Sequence, residues 1–327
     1  MLGEFELIAR YFKPLAADSP AALGLVDDAA VLDGLGESGL VATADMVVAG
    51  VHFLADDPAD QVARKLLRVN LSDLAAMGAR PLGYLLTAAW PKDIAEPWIA
   101  DFASGLAADQ AEFGIGLLGG DTTGTPTTLT LSLTALGTVP TGRALKRSTA
   151  RAGDRVYVSG TIGDGVLGLD VLHGKHAELS AADRDHVVDR YRLPQPRLAL
   201  GQALSAQGLA MAALDVSDGL VADLGHMAAA SGLAARVEAA AVPLSPPARA
   251  VVETDPDVFA RLVSGGDDYE LLFAAAPDRD AEVVALAAKL GLALTPIGTL
   301  EAGVPGVRLV DDRGGEIHLD QSGWTHF

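Results

Sequence analysis

The chain has 327 residues, of which 50% are apolar and none is cysteine. This length is large for a single compact unit and predicts two domains, while the lack of cysteine excludes disulfides, thiolate metal sites and thiol nucleophiles and fits a reducing cytoplasm. A formal net charge of −19 would repel nucleic acid and anionic membrane surfaces, so we expect neither as a partner.

The N-terminal part of the chain predicts a helix followed by alternating strands and helices. The apolar side chains of Met1–Leu15 have the spacing of one helical face and do not form the core of a signal peptide. No stretch approaches the roughly 18 uninterrupted apolar residues of a membrane span, so a soluble, cytoplasmic protein is expected. Further helices are predicted from Pro58 to Gly78 and between Pro97 and Glu112. The β-rich runs between Ala29 and Gly137 are AAVLD, LVATAD, LGYLLTAAW and TLTLSLTALG.

A polar, basic and turn-rich stretch from Pro140 to Asp154 interrupts these periodic patterns. We therefore predict an N-terminal domain at 1–139, a linker at 140–154 and a C-terminal α/β domain at 155–327, within an overall α/β (α+β) fold. In the C-terminal part, helices are predicted near 164–173, 196–206 and 218–231, and strands at DRVYVSG and near 235–238, 269–273 and 294–298.

Short motifs that contain Asp recur at predicted strand ends or helix starts, where loops can bring them together. They are VDDAAV with Asp27 and Asp28, TAD with Asp45, NLSDLAAMGA with Asp73, GGDTT with Asp121, LDVSDG with Asp215 and Asp218, and SGGDDYE with Asp267 and Asp268. Carboxylates that lie close together repel one another unless cations occupy the space between them. Oxygen ligands favour Mg²⁺, which commonly binds a few carboxylates and substrate phosphates. The motifs therefore predict a metal–phosphate site.

Any one of these Asp residues, taken alone, is also explained as a helix cap or a turn residue. Asp73 is harder to explain in this way, since it lies within a helical pattern, where Asp is a poor helix former. Asn70, three residues earlier, shares its helical face.

Glycine pairs precede two of the acids, at Gly119–Gly120 and Gly265–Gly266, and permit tight turns or close backbone approach to a ligand. Because these sites fall in different predicted domains, they suggest a ligand held between the domains. The segment Gly163–Gly168 is a literal G-x-G-x-x-G, but a dinucleotide site needs an acid at the end of a second strand about 20 residues further on. The Asp183–Asp185 region looks helical instead, so we interpret these glycines as turn and packing positions. Gly174 and Lys175 lack the first glycine of a P-loop, which disfavours a Walker-type ATPase.

Taken in order, the motifs resemble those of the thiamine-monophosphate kinase family, within the superfamily that includes aminoimidazole ribonucleotide synthetase and selenophosphate synthetase. The resemblance runs nearly end to end. It is carried by GEFELIARYF at Gly3–Phe12, VDDAAV, AGVHF, VNLSDLAAMGA, GGDTT, GRALKRS, LDVSDGL with DLGH, SGGDDYEL and the C-terminal SGWTHF.

The resemblance implies an N-terminal mixed β-sheet domain that pairs across a homodimer, a C-terminal α/β domain, and a cleft between them for ATP and thiamine monophosphate. It implies several Mg²⁺ ions, at Asp28, Thr43, Ala44, Asp45, Asp73, Asp121, Asp215 and Asp218. It implies nucleotide contacts at Gly120, Asp121, Arg147 and Ser217, and thiamine monophosphate contacts at His52, Asp267 and Trp324. The residues implied in catalysis are Asp121, Asp218 and Arg147.

The implied reaction transfers the γ-phosphoryl group of ATP directly to the phosphate of thiamine monophosphate, giving thiamine diphosphate. A terminal phosphate has a second pKa of about 6, so at neutral pH it is already an anionic nucleophile that needs little help from a base. The protein must position two polyanions and neutralise their repulsion, and no covalent enzyme intermediate is needed.

The sequence departs from the family pattern at three positions. Val26 replaces a glycine that usually precedes the Asp pair, Ala44 replaces a hydroxyl residue, and Asp267 stands where Glu is usual. Ala44 can offer a metal only its backbone atoms, and Asp267 reaches one methylene less far.

Two alternatives remain open at this stage. Aminoimidazole ribonucleotide synthetase is the nearest enzymatic alternative, whereas the absence of cysteine argues against selenophosphate synthetases and the hydrogenase-maturation proteins that end in Cys. From another class, the chain could be a non-catalytic metal- or nucleotide-binding protein. That role would leave four residues without a common purpose, namely His52, Arg147, Ser217 and Trp324.

Overall fold

The computed structural model describes residues 6, 8–16, 19–319, 321, 323 and 324. Its first sheet has five strands, β1 (Ala30–Leu35), β2 (Ser38–Val48), β3 (Arg80–Pro91), β4 (Leu117–Thr125) and β5 (Thr130–Pro140). They lie in the order β1-β2-β5-β3-β4, and only β3 and β4 are parallel neighbours in this sheet. The predicted mixed β-sheet is confirmed.

Two helices of the N-terminal part, α1 (Ala59–Ala76) and α2 (Glu96–Phe113), confirm the predicted helices. Inward-facing residues of β5 alternate with partly exposed ones, as a strand with one buried face requires. Leu131 and Leu133 of β5 are fully buried in one core with Leu66 and Leu67 of α1. Burial of four such side chains is worth on the order of 6–12 kcal/mol relative to exposure, before the entropy cost of ordering them.

Strand β4 was not predicted from the sequence. Its GGDTT motif reads as a turn, because glycine and Asp are depleted from strands. The structure pairs β4 with β3 along eight registered positions, and this pairing overrides the local preference. Residues 117–124 are exposed, so β4 forms an open edge of the sheet.

The C-terminal part has a six-stranded sheet with seven helices, counted over the described residues. The strands are β6 (Arg155–Ser159), β7 (Ala212–Asp215), β8 (Ala234–Glu238), β9 (Leu271–Ala275), β10 (Leu294–Glu301) and β11 (Gly306–Val310), in the order β11-β8-β10-β6-β9-β7. The helices are α3 (Asp164–Leu172), α4 (Ala181–Arg192), α5 (Leu198–Gln207), α6 (Leu220–Ser231), α7 (Pro246–Thr254), α8 (Val258–Ser264) and α9 (Asp280–Leu290). The predicted helices and strands of this part are confirmed, and α4 covers the Asp183–Asp185 region, which was expected to be helical. The additional elements are β7, β11, α7, α8 and α9.

Short helical segments occupy several connections. They are Ile8–Phe12, Lys13–Ala16, Pro20–Leu25, Arg147–Thr149, Ala239–Ala241 and Pro277–Arg279. The N-terminal helix prediction falls partly on residues 1–5 and 7, which lie outside the described residues, as do 322 and 325–327 of the SGWTHF motif. Over the described chain, every helix is too short or too polar to cross a lipid bilayer.

Helix α1 packs against both sheets and therefore joins the two parts of the molecule. Near its C-terminal end, a Cβ added to Gly201 of α5 would collide with the carbonyl oxygen of Ala75, so the two helices touch through their backbones. Arg68, 1% exposed, bonds to Asp109 of α2 at 2.6 Å and to the carbonyl of Pro194 at 3.2 Å. Arg68 of α1 thus connects α2 of the N-terminal part with the segment that follows α4.

Candidate active site

Three carboxylates from different elements meet at one end of α1. Asp28 lies just before β1, Asp73 lies in the last turn of α1, and Asp215 ends β7 of the second sheet. One oxygen of each lies within 4.8 Å of the others. Both parts of the chain therefore contribute to this group, which we call the carboxylate cluster.

Strand β2 adds two side chains to the carboxylate cluster. Thr43 donates a 2.5 Å hydrogen bond from Oγ1 to Asp73 and a 3.2 Å bond to the backbone oxygen of Asp28. The backbone N–H of Asp45 donates to Asn70 Oδ1 at 3.2 Å. Residues two apart on a strand share a face, so both Thr43 and Asp45 face α1.

Ala44 lies on the opposite face of β2 and is exposed. Its backbone is in register with Thr134 of β5, whereas the N–H of Asp45 turns towards α1. The Ala44 side chain therefore faces away from the carboxylate cluster, and only its backbone lies between Thr43 and Asp45.

The acids of the cluster disfavour one another's charge. Burial, followed by the charges of Asp45 and Asp215, raises the pKa of Asp73 well above its usual value. Burial, then the charge of Asp28, raises the pKa of Asp215 to about 8, and burial raises that of Asp45 to about 6. A cation among these groups would remove the repulsion and favour their ionised forms.

Arg147 supplies positive charge at the edge of the cluster. Its guanidinium forms an ion pair with Asp28, and its backbone N–H donates to Asp27 Oδ1 at 2.6 Å. Burial alone would lower the pKa of Arg147, but Asp28 more than reverses this effect and raises it, so the side chain stays charged. Among the described residues, Asp28 Oδ2 and Arg147 Nε are buried without a hydrogen-bond partner.

A second group of ligand atoms lies at the start of α6. Asp218, Asp223 and His226 each have an atom within 4.8 Å of the others. The carboxylate of Asp223 accepts the backbone N–H groups of Asp218 at 3.0 Å and Gly219 at 3.1 Å, which fixes the turn that carries Ser217. Burial, then the charge of Asp218, raises the pKa of Asp223.

The C-terminal segment reaches this turn. The N–H of Trp324 donates to the backbone oxygen of Asp218 at 2.9 Å, and Trp324 as a residue is 55% exposed. Trp324 therefore lies beside the Asp218 turn with much of its ring open to solvent.

His52 and Asp267 lie on either side of a buried lysine. Lys65 of α1 donates to the backbone oxygen of His52 at 3.0 Å, and its Nζ lies 3.3 Å from Asp267 Oδ1. The imidazole Nδ1 of His52 accepts the N–H of Val48 at 3.1 Å. The two predicted contact residues are thus linked through one ammonium group.

The G-x-G-x-x-G segment holds a carboxylate of the chain itself. Gly163, at φ +90°, and Gly165 direct their N–H groups to the two oxygens of Asp268, at 2.8 and 3.1 Å. Asp268 is buried and lies next to Asp267, so the glycines act as turn positions that anchor the SGGDDYE loop. Asp267 and Tyr269 have φ values of +74° and +50°, which are unusual for residues with a side chain.

Gly120 and Asp121 lie on the open edge strand β4. Asp45 on β2 is separated from this position by three strand spacings, through Leu133 and Leu86, which amounts to about 14 Å. A Cβ on Gly120 would collide with the carbonyl oxygen of Leu86, so packing against β3 already requires glycine. Within one chain, neither residue joins the carboxylate cluster.

Comparison with known proteins identifies the family. The family models for AIR synthase related protein match residues 26–139 (N-terminal domain) and 151–310 (C-terminal domain). A thiamine-monophosphate kinase from Caulobacter vibrioides is 46% identical over 326 residues, which are 99% of this chain and 90% of the relative. The chain belongs to the thiamine-monophosphate kinase family.

Solved structures of thiamine-monophosphate kinases share the fold. The enzyme from Stenotrophomonas maltophilia K279a has 42% identity and a TM-score of 0.78, covering 94% of this chain and 96% of its own. A structure described as AaThiL complexed with AMPPCP and TMP has 30% identity and a TM-score of 0.86, covering 100% of this chain and 97% of its own.

The residues predicted from the resemblance to thiamine-monophosphate kinases fall into three neighbouring groups and one separate pair. The groups are Asp28, Thr43, Asp45, Asp73, Asp215 and Arg147; then Ser217, Asp218 and Trp324; then His52 and Asp267. The separate pair is Gly120 and Asp121, and Ala44 faces away. The sequence analysis did not single out Lys65 or Asp223. Lys65 could have been noticed, because it stands at a position that the apolar spacing of α1 predicts to be buried, where lysine is rare.

Proposed function

We propose that this chain phosphorylates thiamine monophosphate to thiamine diphosphate with ATP as the phosphoryl donor. The observation that carries the proposal is the convergence of Asp28, Asp73 and Asp215, from both parts of the chain, beside the charged Arg147. Membership of the thiamine-monophosphate kinase family supports the substrates, as does the similar protein solved with AMPPCP and TMP. ATP as donor also favours a cytoplasmic location.

Magnesium fits the residues of the carboxylate cluster. All the candidate side-chain ligands are oxygens, and Asp28 Oδ2 is a buried carboxylate oxygen with no partner among the described residues. Hard oxygen ligands of this kind suit Mg²⁺, which would neutralise charge between the phosphate groups of the two substrates when bound. We propose Asp28, Asp73 and Asp215 as its principal ligands, with Asp45 and Thr43 beside them.

The chain's own residues have the task of orienting two anionic substrates. Arg147 is a fixed positive charge at the cluster and would contact phosphate oxygens of the nucleotide, together with the turn at Ser217 and Asp218. The acceptor phosphate is itself the nucleophile, so no residue needs to remove a proton from it. His52, Asp267 and Trp324 would hold the organic part of thiamine monophosphate.

Gly120 and Asp121 require a second copy of the chain to take part. The exposed edge strand β4 carries them about 14 Å from Asp45, measured across three strand spacings. Open edges are normally paired or covered, and a homodimer would do so. We propose that dimerisation brings Asp121 to the site; a monomeric mass by light scattering at micromolar concentration would contradict this.

Formation of thiamine diphosphate from ATP and thiamine monophosphate is the decisive test. The purified protein should form one thiamine diphosphate for each ADP in the presence of Mg²⁺. Formylglycinamidine ribonucleotide should give no turnover, and ATP alone should be hydrolysed slowly. Turnover of the ribonucleotide without thiamine diphosphate would replace the proposal with aminoimidazole ribonucleotide synthetase, and no turnover with either substrate would leave a non-catalytic binding protein.

A further inference from the structure

Lys65 is a buried cation at the proposed acceptor site that has no assigned role. Its side chain is 5% exposed, yet it lies within reach of two proposed contacts of thiamine monophosphate. Buried lysines are rare and are normally paired. We infer that Lys65 is a positioning residue for the phosphoryl acceptor, an inference that rests on the proposed function.

The Lys65 ammonium group has three partners, one for each of its N–H groups. Its Nζ donates to the His52 backbone oxygen at 3.0 Å, lies 3.3 Å from Asp267 Oδ1, and lies 3.8 Å from the centroid of the Tyr191 ring. An ammonium group has three donors, so these three partners determine where it lies. Burial, then the charge of Asp267, raises the pKa of Tyr191, so this ring remains neutral and can face a cation.

The contact between Lys65 and Asp267 adds to the hydrogen bonds that hold the SGGDDYE loop in place. The backbone of Asp267 is held by a 2.9 Å bond from its N–H to the Ser217 oxygen. The neighbouring Asp268 is anchored by the N–H groups of Gly163 and Gly165. Rotation of the Asp267 side chain is the freedom that remains, and the ion pair with Lys65 restricts it.

The exposures of the two partners indicate which of them meets a ligand. The Asp267 side chain is 30% exposed, whereas that of Lys65 is 5% exposed. Lys65 therefore acts through Asp267 and the His52 loop and does not present its own charge to solvent. Because Asp267 is one methylene shorter than the usual Glu, its orientation matters more for contact with the substrate.

A purely structural role for Lys65, in which it only holds the two parts of the chain together, predicts a different result. Other contacts also connect the two parts. Arg192 pairs with Asp57 at 2.7 Å, and Arg68 bonds across to Pro194 at 3.2 Å. If Lys65 only joined the two parts, its substitution would lower stability and would affect the KM values for both substrates equally. A positioning role instead affects the KM for one substrate.

Steady-state kinetics of Lys65→Met test the inference. We expect the KM for thiamine monophosphate to rise at least about tenfold, because two charge-assisted contacts are lost. The KM for ATP and kcat should stay within about threefold of the wild type. Lys175→Met is the matched control, since it removes an ammonium group that pairs with Asp170 at 3.0 Å, and it should leave all three constants unchanged.

A double-mutant cycle shows whether Lys65 acts through Asp267. Lys65→Met combined with Asp267→Asn should raise the KM for thiamine monophosphate by less than the product of the two single effects. If Lys65→Met does not fold, as judged by circular dichroism, Lys65→Gln, which also removes the charge, is measured in its place and should show the same selective rise. The inference would be overturned by equal rises in the KM values for both substrates, or by an unchanged or lowered KM for thiamine monophosphate. It would also be overturned if the KM of the double variant equalled the product of the two single effects. Wild-type protein that forms no thiamine diphosphate would instead overturn the proposed function.

Discussion

Single Asp residues at this site differ in what they do for the fold. The carboxylate of Asp223 accepts two backbone N–H groups and shapes the start of α6, whereas Asp121 is an exposed residue of an edge strand. Asp218 contributes its backbone oxygen to Trp324 and one ligand atom to the group at α6. Because the carboxylate of Asp223 holds the turn at the start of α6, substitutions at Asp121 and Asp218 test function more directly than a substitution at Asp223.

We expect Asp121→Asn and Asp218→Asn each to leave a folded protein that has lost most phosphoryl transfer. The amide keeps the shape of the side chain but removes the charge that a metal-bound phosphate site requires, so kcat should fall at least about a hundredfold. Activity at saturating Mg²⁺ is the measurement, with Asp101→Asn, an exposed residue of α2, as the control. Near-normal activity in either variant would remove that residue from the site.

The raised pKa values of the carboxylate cluster predict how stability depends on pH. In the folded protein, Asp215 has a pKa of about 8 against an ordinary value of 3.8, and Asp45 one of about 6. Between pH 6 and 8 the folded protein holds protons that the unfolded chain has released, so the free energy of unfolding falls as pH rises. Thermal melts in EDTA should show a falling Tm over this range.

Two comparisons separate this effect from other titrations. Asp215→Asn should flatten the dependence of Tm on pH, and saturating Mg²⁺ should flatten it in the wild type, because a bound cation lowers the carboxyl pKa values. A Tm that does not fall between pH 6 and pH 8 in EDTA would contradict the raised pKa values of the cluster.

At the scale of elements, Gly120 on the edge strand β4 is required by packing against β3 and is also a proposed nucleotide contact. Gly120 is in register with Leu86 of β3, and a Cβ there would collide with the Leu86 carbonyl oxygen. Gly124, four residues along the same strand, would place a Cβ 4.0 Å from its nearest neighbour, the Trp90 oxygen.

We therefore expect Gly120→Ala to lower Tm by roughly 3 °C or more, since forced overpacking costs about 1–3 kcal/mol. Gly124→Ala should change Tm little. The two variants are compared by thermal unfolding without ligands. An unchanged Tm in Gly120→Ala would mean that β4 moves away from β3 easily, and the glycine would then be explained by a nucleotide contact alone.

The helical patterns and the strands with one buried face were predictable from the sequence. Helix α1 was found from Pro58 and Gly78 at its ends and from its apolar spacing, because these are local features of the chain. Strands β4, β7 and β11 were missed, and the composition of β4 and β7 explains why. Strand β4 is rich in glycine, and β7 has only four residues, AALD, which are all buried and show no alternation.

At the scale of the whole molecule, both parts of the chain contribute residues to the carboxylate cluster, which we propose as a shared site for Mg²⁺ and nucleotide. Phosphate oxygens of a nucleotide would complete the coordination of ions that the carboxylates hold only in part. We expect Mg²⁺ with AMPPCP to raise Tm by more than the sum of the two separate shifts. Melts with EDTA, Mg²⁺, AMPPCP and the pair test this. Merely additive shifts would mean that the metal and the nucleotide do not share a site.

The sequence by itself determined the family, the class of reaction and the residue types of the site, because ordered short motifs are properties of the chain alone. Only the tertiary structure decided which of those residues meet. Asp28, Asp73 and Asp215 converge because α1 lies against both sheets. Ala44 faces away and Asp121 lies three strand spacings from Asp45, since the direction of a side chain and the order of strands are set by pairing between distant segments.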